Sequence, residues 1–242
     1  MNLLAFGLIL ICCHAWAIET DDNFVEPFAQ KRTKLEEALE KLRTLLRNGG
    51  EGFPVLDPFI KDRLPLKLNE SIPAGNIEFD GLFTKINVTG ISNYTINSAD
   101  FKIFGLKLHA NLTWPTITAN LNYTMNGKVL DFGIYGTGGM DAALHDLNIQ
   151  VDMSCNLKNS HVQVKQMSTK ISLRALNFHA TGLYNDEGIS DILSKTISEV
   201  MPKLIKENQK VIVDNINQVA TEMLNDYLNT ITLKELLKLL GL

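Results

Sequence analysis

Cysteine is nearly absent from this 242-residue chain: there are three, and two of them, Cys12 and Cys13, lie in the first seventeen residues. Those residues, MNLLAFGLILICCHAWA, carry no charged side chain, run apolar from Leu3 to Cys13 and close in Ala15-Trp-Ala17. This is the pattern of a secretory leader with a small-x-small cleavage site. The run is too short for a spanning helix, which needs about 20 apolar residues, and no later run is long enough either. The mature chain is therefore expected at 18–242, one domain, secreted and extracellular. With the leader gone, Cys155 is the last thiol, so an internal disulfide is excluded and the core must hold the fold alone. At 45% hydrophobic residues the remaining chain has the material for that.

Charge of one sign is also scarce. Twenty-three basic against 27 acidic side chains leave a net −4 with no basic stripe, which argues against nucleic acid as a partner. No Gly-x-Ser-x-Gly elbow, His-Glu-x-x-His helix or phosphate-binding Gly-x-x-x-x-Gly-Lys-Ser/Thr loop is present. Gly136-Thr-Gly-Gly-Met-Asp141 ends in Asp where a dinucleotide fingerprint needs glycine, and it reads as a turn. His109, His145, His161 and His179 stand sixteen or more residues apart, which suits solvated surface better than a metal site. An enzyme, a cofactor and a metal are accordingly not expected.

Periodicity supplies the layout. Leu35, Ala38, Leu39, Leu42, Leu45 and Leu46 recur at helical steps, and Asn48-Gly49-Gly50 stops them. Phe53-Pro-Val-Leu-Asp-Pro58 and Leu64-Pro-Leu66 suit an extended, packed connector better than a central strand. From about Ile77 to Ala180 the period is two, as in Leu106, Leu108, Ala110, Leu112 and Trp114, or in Ile117, Ala119, Leu121, Tyr123 and Met125. Slips in this alternation, between Ile96 and Phe101 and between Leu173 and Leu176, predict β-bulges and a strongly curved antiparallel sheet. Cys155 falls on the apolar side of Leu147, Ile149, Val151 and Met153 and is expected to be a buried, inert thiol.

After Asn185-Asp-Glu-Gly188 the helical period returns and reaches about Asn229, with Pro202 expected to kink the helix or to start a second segment. Thr232-Leu-Lys-Glu235 has the form of a capping box for a short final helix. A rod of ~40 residues would run ~60 Å, so the sheet is expected to wrap around it in an elongated molecule.

Asn-x-Ser/Thr triplets occur at Asn69, Asn87, Asn93, Asn111 and Asn122. Asn87, Asn111 and Asn122 fall on the polar sides of their strands, and a glycan needs water. These are the expected glycosylation sites, and they assign the opposite, apolar side to the interior.

The run Trp114 to Gly139 resembles the central signature of the insect juvenile-hormone-binding and takeout-like secreted proteins: Pro115 before a strand, then Tyr123, Gly127 and Leu130, then Gly136 and Gly138. Val88-Thr-Gly-Ile-Ser-Asn-Tyr94 is similar to that family's Gly-Leu-Ser turn, and Gly52-Phe-Pro-Val-Leu-Asp-Pro58 to its connector. The resemblance covers the whole mature chain. It implies an α+β tubular lipid-binding fold, a highly curved antiparallel sheet wrapped around a long C-terminal helix with an N-terminal helix. It also implies an apolar tunnel for a lipid, terpenoid or similar hydrophobe. The chain departs from the family in lacking a cysteine pair between Thr20 and Gln30 and a partner for Cys155.

The apolar-side residues expected to line such a tunnel are Leu108, Leu112, Ile117, Ala119, Leu121, Tyr123, Phe132, Phe178, Ile197, Leu204 and Ile216. Tyr123 can offer its hydroxyl to a ligand or cap the core; Tyr135 faces the other way. The leading functional expectation is a monomeric, secreted carrier of a small hydrophobic ligand, without stable membrane insertion and with any receptor unidentified. The alternative is a lipid-surface or pattern-recognition protein of the same fold.

Overall fold

The computed structural model describes residues 32–50, 54–72, 75–129 and 132–235, apart from the side chains at 68–77, 79, 129 and 132. The expected leader, Gly52 and Phe53 of the connector, Leu130, and the final helix beyond Glu235 lie outside the described residues.

Helix α1 (Lys34–Asn48) begins at Thr33, whose Oγ1 accepts the Glu36 N–H at 3.1 Å while the Glu36 carboxylate accepts the Thr33 N–H at 2.9 Å. Thr33 Oγ1 also donates to the Ala99 carbonyl at 2.6 Å, tying the helix start to the sheet. Gly49, at φ 66°, ends the helix as expected. The stripe Leu35, Ala38, Leu39, Leu42 and Leu46 is buried against Tyr94, Ala99, Leu112 and Trp114.

Six antiparallel strands follow: β1 (Phe59–Ile72), β2 (Gly75–Thr89), β3 (Thr95–Lys102), β4 (Lys107–Val129), β5 (Phe132–Lys158) and β6 (His161–Ala180). Their order is β1-β2-β4-β5-β6, and β3 lies beside the first half of β4 where β2 lies beside the second. The proline-punctuated connector is in part a strand. Leu64-Pro-Leu66 belongs to β1, at the sheet edge, where a residue without an N–H is tolerated.

Pro115 sits inside the central strand β4 for a related reason. Pairing with β3 ends at Thr113 and pairing with β2 begins at Thr118, so the ladder has a gap on that side. The link from β2 to β3 crosses the gap. Gly90, at φ 89°, packs so closely that a Cβ there would stand 2.4 Å from the Thr116 carbonyl. The Trp114 indole N–H donates to the Ile91 carbonyl at 2.7 Å. Asp57 fixes the link, one carboxylate oxygen accepting the Gly90 N–H at 2.9 Å and the other the Ser92 N–H at 2.8 Å and the Ser92 hydroxyl.

At the level of Pro115 the sheet is creased. In β4, β5 and β6 the inward residues jump by three: Trp114 to Ile117, Leu144 to Leu147, and Leu173 to Leu176, all six in one apolar cluster. The pairing register does not shift there, with Trp114 opposite Leu147 and Thr116 opposite His145, then Leu147 opposite Leu173 and His145 opposite Ala175. The slip expected at Leu173 is therefore shared by three strands and bends the sheet without a one-sided bulge. Asp146, at φ 49°, takes up the turn, and the Arg174 guanidinium donates to its carboxylate. One-sided register shifts do occur at Thr84/Asn87, Ile96/Ser98 and Ser154/Cys155.

The run Gly136–Asp141, expected as a turn, is extended strand within β5. Its glycines serve a close crossing. The chain leaving β6 passes over β5 at 181–183, and a Cβ on Gly138 would stand 2.0 Å from the Thr181 carbonyl.

Helix α2 (Glu187–Glu207), capped by Asp186, and helix α3 (Gln209–Leu228) form the rod. The break falls at Asn208, six residues beyond Pro202, which lies inside α2. Helical bonding runs through it, with Asn208 N–H to Leu204 O at 2.9 Å and Ile212 N–H to Asn208 O at 3.1 Å. Side chains mark the break. Asn208 Nδ2 competes for the Leu204 carbonyl, and the Gln209 amide is held to both the N–H and the carbonyl of Ile171 on β6. Thr232 and Glu235 make the expected capping-box bonds.

Candidate functional site

The rod is attached along the free edge of β6, and the attachment positions everything inside. Ser190, Ser194 and Ser198, one turn apart, accept the backbone N–H groups of Leu183, Ala180 and Phe178, each at 2.9 Å. Gln209 serves Ile171, and Asn225 accepts the Val164 N–H at 2.8 Å. These side chains stand in for a seventh strand, which closes an edge that would otherwise template aggregation. Beside the serines, Leu193 packs into the Tyr123 cluster and Ile205 at the crease, while Ile189, Val200 and Leu204 of the neighbouring stripe are exposed.

Along that inner side, two apolar clusters are separated by a row of small strand residues. At one level Tyr123, Ala180 and Leu183 are buried with Phe83, Leu121, Met125, Met140, Phe178 and Leu193 around them. At the crease, Leu147, Ile171 and Leu173 are buried under Ile205, Val213 and Ile216. Between the two, Ala119 and Ala142 face each other across β4 and β5, with Phe178 beside Ala142 on β6. Ser198 anchors α2 at that row. The helix residues above it, Ile197, Val200 and Leu204, are only partly covered, Val200 being 39% and Leu204 41% exposed.

The expected lining residues divide accordingly. Leu112 is core beneath α1, and Leu108 packs between that core and the Val151, Val164, Leu224 cluster. Ile117 and Ile216 belong to the crease, and Leu121, Tyr123 and Phe178 to the cluster with Leu193. Ala119 lies in the row between the clusters, and Ile197 and Leu204 lie on α2. The Phe132 side chain lies outside the described residues. Tyr123 is 2% exposed and donates its hydroxyl to the Thr181 carbonyl at 2.7 Å. Burial, with the Glu187 charge adding to it, raises its pKa. The geometry is that of a core cap holding the crossing chain. Tyr135, 43% exposed, stacks edge-on with Tyr184 at 5.0 Å. What sequence reading missed is Ala142 and the serine ladder; the signal for the ladder was Ser190, Ser194 and Ser198 at four-residue spacing.

The outer side of the sheet is polar. Asn87 and Asn122 are exposed there, Asn93 is exposed in the β2–β3 link, and Asn111 is half-buried, its side-chain carbonyl accepting from Asn97 and Asn148; the Asn69 side chain lies outside the described residues. Two open depressions, about 520 and 380 Å³, touch only Phe178 and Tyr123 of the expected lining, and the larger also touches Ala142 and Ser198. Ser98, His109 and Asp152 form a hydrogen-bonded row across β3, β4 and β5, Oγ to Nε2 at 2.9 Å and Nδ1 to carboxylate at 2.7 Å. Bonds from Gln150 and His109 hold the Asp152 carboxyl below its usual range. The row resembles a hydrolytic triad, but neither depression reaches it. The surrounding N–H groups of the inner strands β4 and β5 are committed to the ladder, so none is free to stabilise an oxyanion. It works as a cross-strand pin.

Cys155 is half-buried beside Val164 and Leu224, and burial pushes its thiol up to about 11. Since the thiolate is the reactive form, maleimide or iodoacetamide labelling at pH 8 is expected to run about 100-fold slower than for an exposed thiol. It should accelerate as pH rises toward 11, and denaturant should abolish the difference. Native labelling as fast as in urea would show the thiol to be reactive.

Among the described residues no helix is long and apolar enough to cross a membrane. No curated protein matches the chain. A solved structure that it resembles, Takeout 1 of Epiphyas postvittana, superposes with a TM-score of 0.54 over 81% of this chain and 91% of that one, at 18% identity. Lipopolysaccharide binding protein aligns over 84% of this chain and 38% of its own length, at 14% identity and a TM-score of 0.35. The model of the haemolymph juvenile hormone binding protein family matches residues 8–238. With the tubular architecture shared with Takeout 1 and a match that spans nearly all of its sequence, the chain belongs to the haemolymph juvenile hormone binding protein family.

Proposed function

We propose that this protein is a secreted, non-enzymatic carrier that holds a small hydrophobic molecule between helix α2 and the sheet, at the level of Ala119 and Ala142. One observation carries the reading. The two apolar clusters beneath α2 are separated by a row in which two alanines pair across β4 and β5, and in this reading their short methyl groups leave the room that a ligand takes. Enclosing ~300–400 Å² of apolar ligand surface at ~25 cal/mol per Å² supplies roughly 8–10 kcal/mol of gross driving force. After the losses of association this supports micromolar to nanomolar binding without charged contacts. The family's association with juvenile hormone points to a lipid or terpenoid. Asn69, Asn87, Asn93, Asn111 and Asn122 carry the glycans in this reading.

The test is direct. Protein secreted from animal cells, examined by native mass spectrometry and by organic extraction, is expected to carry an apolar small molecule or to take one up in a ratio of one to one. Protein that emerges empty and takes up neither a fatty acid nor a terpenoid would overturn the reading.

A further inference from the structure

The end of the molecule formed by the β3–β4 and β5–β6 turns has a composition unlike the rest of the surface. Phe104, at the tip of the β3–β4 turn, is 97% exposed, and Ile103 beside it is 45% exposed. Leu157, at the end of β5, is 51% exposed. The two turns are neighbours, because the Cys155 N–H donates to the Leu106 carbonyl at 2.9 Å and Lys107 pairs with Ser154.

Lysines collar these apolar groups. Lys102 and Lys107 are directly opposite each other in the hairpin, a like-charge pair that a sheet ordinarily avoids. Lys158 is exposed at the end of β5, and Lys234 is brought to the same end by the Leu233 N–H bond to the Ser160 carbonyl. Among the described residues, carboxylates also stand at this end. Glu235 is bonded to Thr232, Asp152 is bonded by His109 and Gln150, and Asp100 stands two residues back from Lys102, opposite His109. On a chain of net charge −4, this end sets four lysines around a bare aromatic ring.

We infer that this tip docks on lipid surfaces bearing anionic headgroups, Phe104 and Ile103 entering the headgroup layer while Lys102, Lys107, Lys158 and Lys234 meet the headgroup charge. Aromatic and aliphatic side chains ringed by lysines are the chemistry that an anionic interface recognises. Each lysine near such a surface strengthens binding about fivefold, and salt weakens it. The contact is shallow, so it is reversible, as a protein visiting membranes requires. It does not rest on the carrier reading, since vesicle binding and ligand uptake are separate measurements.

Full-length secreted protein is mixed with phosphatidylcholine vesicles, with and without phosphatidylserine, and sedimented. Co-sedimentation is expected with the anionic vesicles only, and it is lost in about 1 M salt, where the Debye length is about 3 Å. Phe104→Ser and the pair Lys102→Gln with Lys107→Gln should each lower binding at least fivefold. Ile60→Ser, which removes a 68%-exposed isoleucine on the edge strand β1, should leave it unchanged. In the Phe104→Trp variant, tryptophan emission should shift to the blue on anionic vesicles. No binding at low salt, equal binding to both vesicle types, or binding undiminished in the Phe104 and lysine variants would each overturn the proposal. So would self-association that disappears with Phe104→Ser while vesicles stay unbound, which would assign the tip to a second copy of the chain.

Discussion

Replacing Gly138 by valine is expected to destabilise the protein by at least about 4 kcal/mol, a large part of the 5–15 kcal/mol a folded chain of this kind holds. The new Cβ would stand 2.0 Å from the Thr181 carbonyl oxygen and 2.7 Å from its carbon, both backbone atoms that cannot swing aside. The crossing chain must lift, and lifting it breaks several bonds at once. These are Thr181 N–H to Gly139 O at 3.0 Å, Gly139 N–H to Thr181 Oγ1 at 3.0 Å, and the Tyr123 hydroxyl to Thr181 O at 2.7 Å. The crossing also delivers the chain to Ser190, so the top of the serine ladder is lost with it. For a chain of this length the fall in melting temperature is about 8–16 °C. Gly133→Val is the control: it lies in the same strand with nothing within 4 Å of its added Cβ, and it should change little. Thermal and urea unfolding of the two variants checks the contrast, and a Gly138→Val protein as stable as its parent would mean that the chains do not cross so closely.

That glycine also marks the limit of what periodicity reveals. Gly136 and Gly138 read as a turn because glycine is the residue of turns, yet here they sit in the first third of a 27-residue strand. The competing use of glycine, letting two backbones touch, leaves no local trace because the partner is more than forty residues away. Pro115 misleads in the same manner. A proline argues against a central strand until one knows that β3 and β2 share one side of β4 and leave a gap opposite it. Alternation and helical spacing, by contrast, placed α1, the long strands and the rod correctly, since they depend only on which side of an element is covered. The crease was half legible. Leu173 to Leu176 showed as a slip, but that Trp114 to Ile117 and Leu144 to Leu147 slip at the same level depends on register, which pairs residues far apart in the chain.

The candidate site was legible only as a side. Alternation put Ala119 and Leu121 on the same inner surface, but it could not say that Leu121 packs into the Tyr123 cluster while Ala119 stands opposite a second alanine. Nor could it show that the rod is hung from an edge. Ser190, Ser194 and Ser198 look like ordinary polar spacing on a half-exposed helix, and their function appears only when the free N–H groups of β6 are beside them.

Enlarging Ala119 or Ala142 to phenylalanine separates a bore from a solid core, because the two alternatives move stability in opposite directions. In a filled interior an added ring forces its neighbours off their rotamers and costs about 1–3 kcal/mol. In a bore left open beside the alanines, the same ring finds vacant space, and stability should stay level or rise by about 0.5–2 kcal/mol as in other cavity-filling changes. Uptake of a fluorescent fatty acid or terpenoid should meanwhile fall at least tenfold, since the ring occupies the volume the ligand needs. Leu121→Trp lacks this power, because Leu121 already packs into the Tyr123 cluster and a larger ring there is costly in either case. Thr118→Phe, one residue from Ala119 but on the polar side, should leave uptake unchanged. A destabilised Ala119→Phe with undiminished uptake would place the ligand elsewhere, and an unfolded Ala119→Phe beside an equally unfolded Ala142→Phe would mean that helix and sheet already meet at this level.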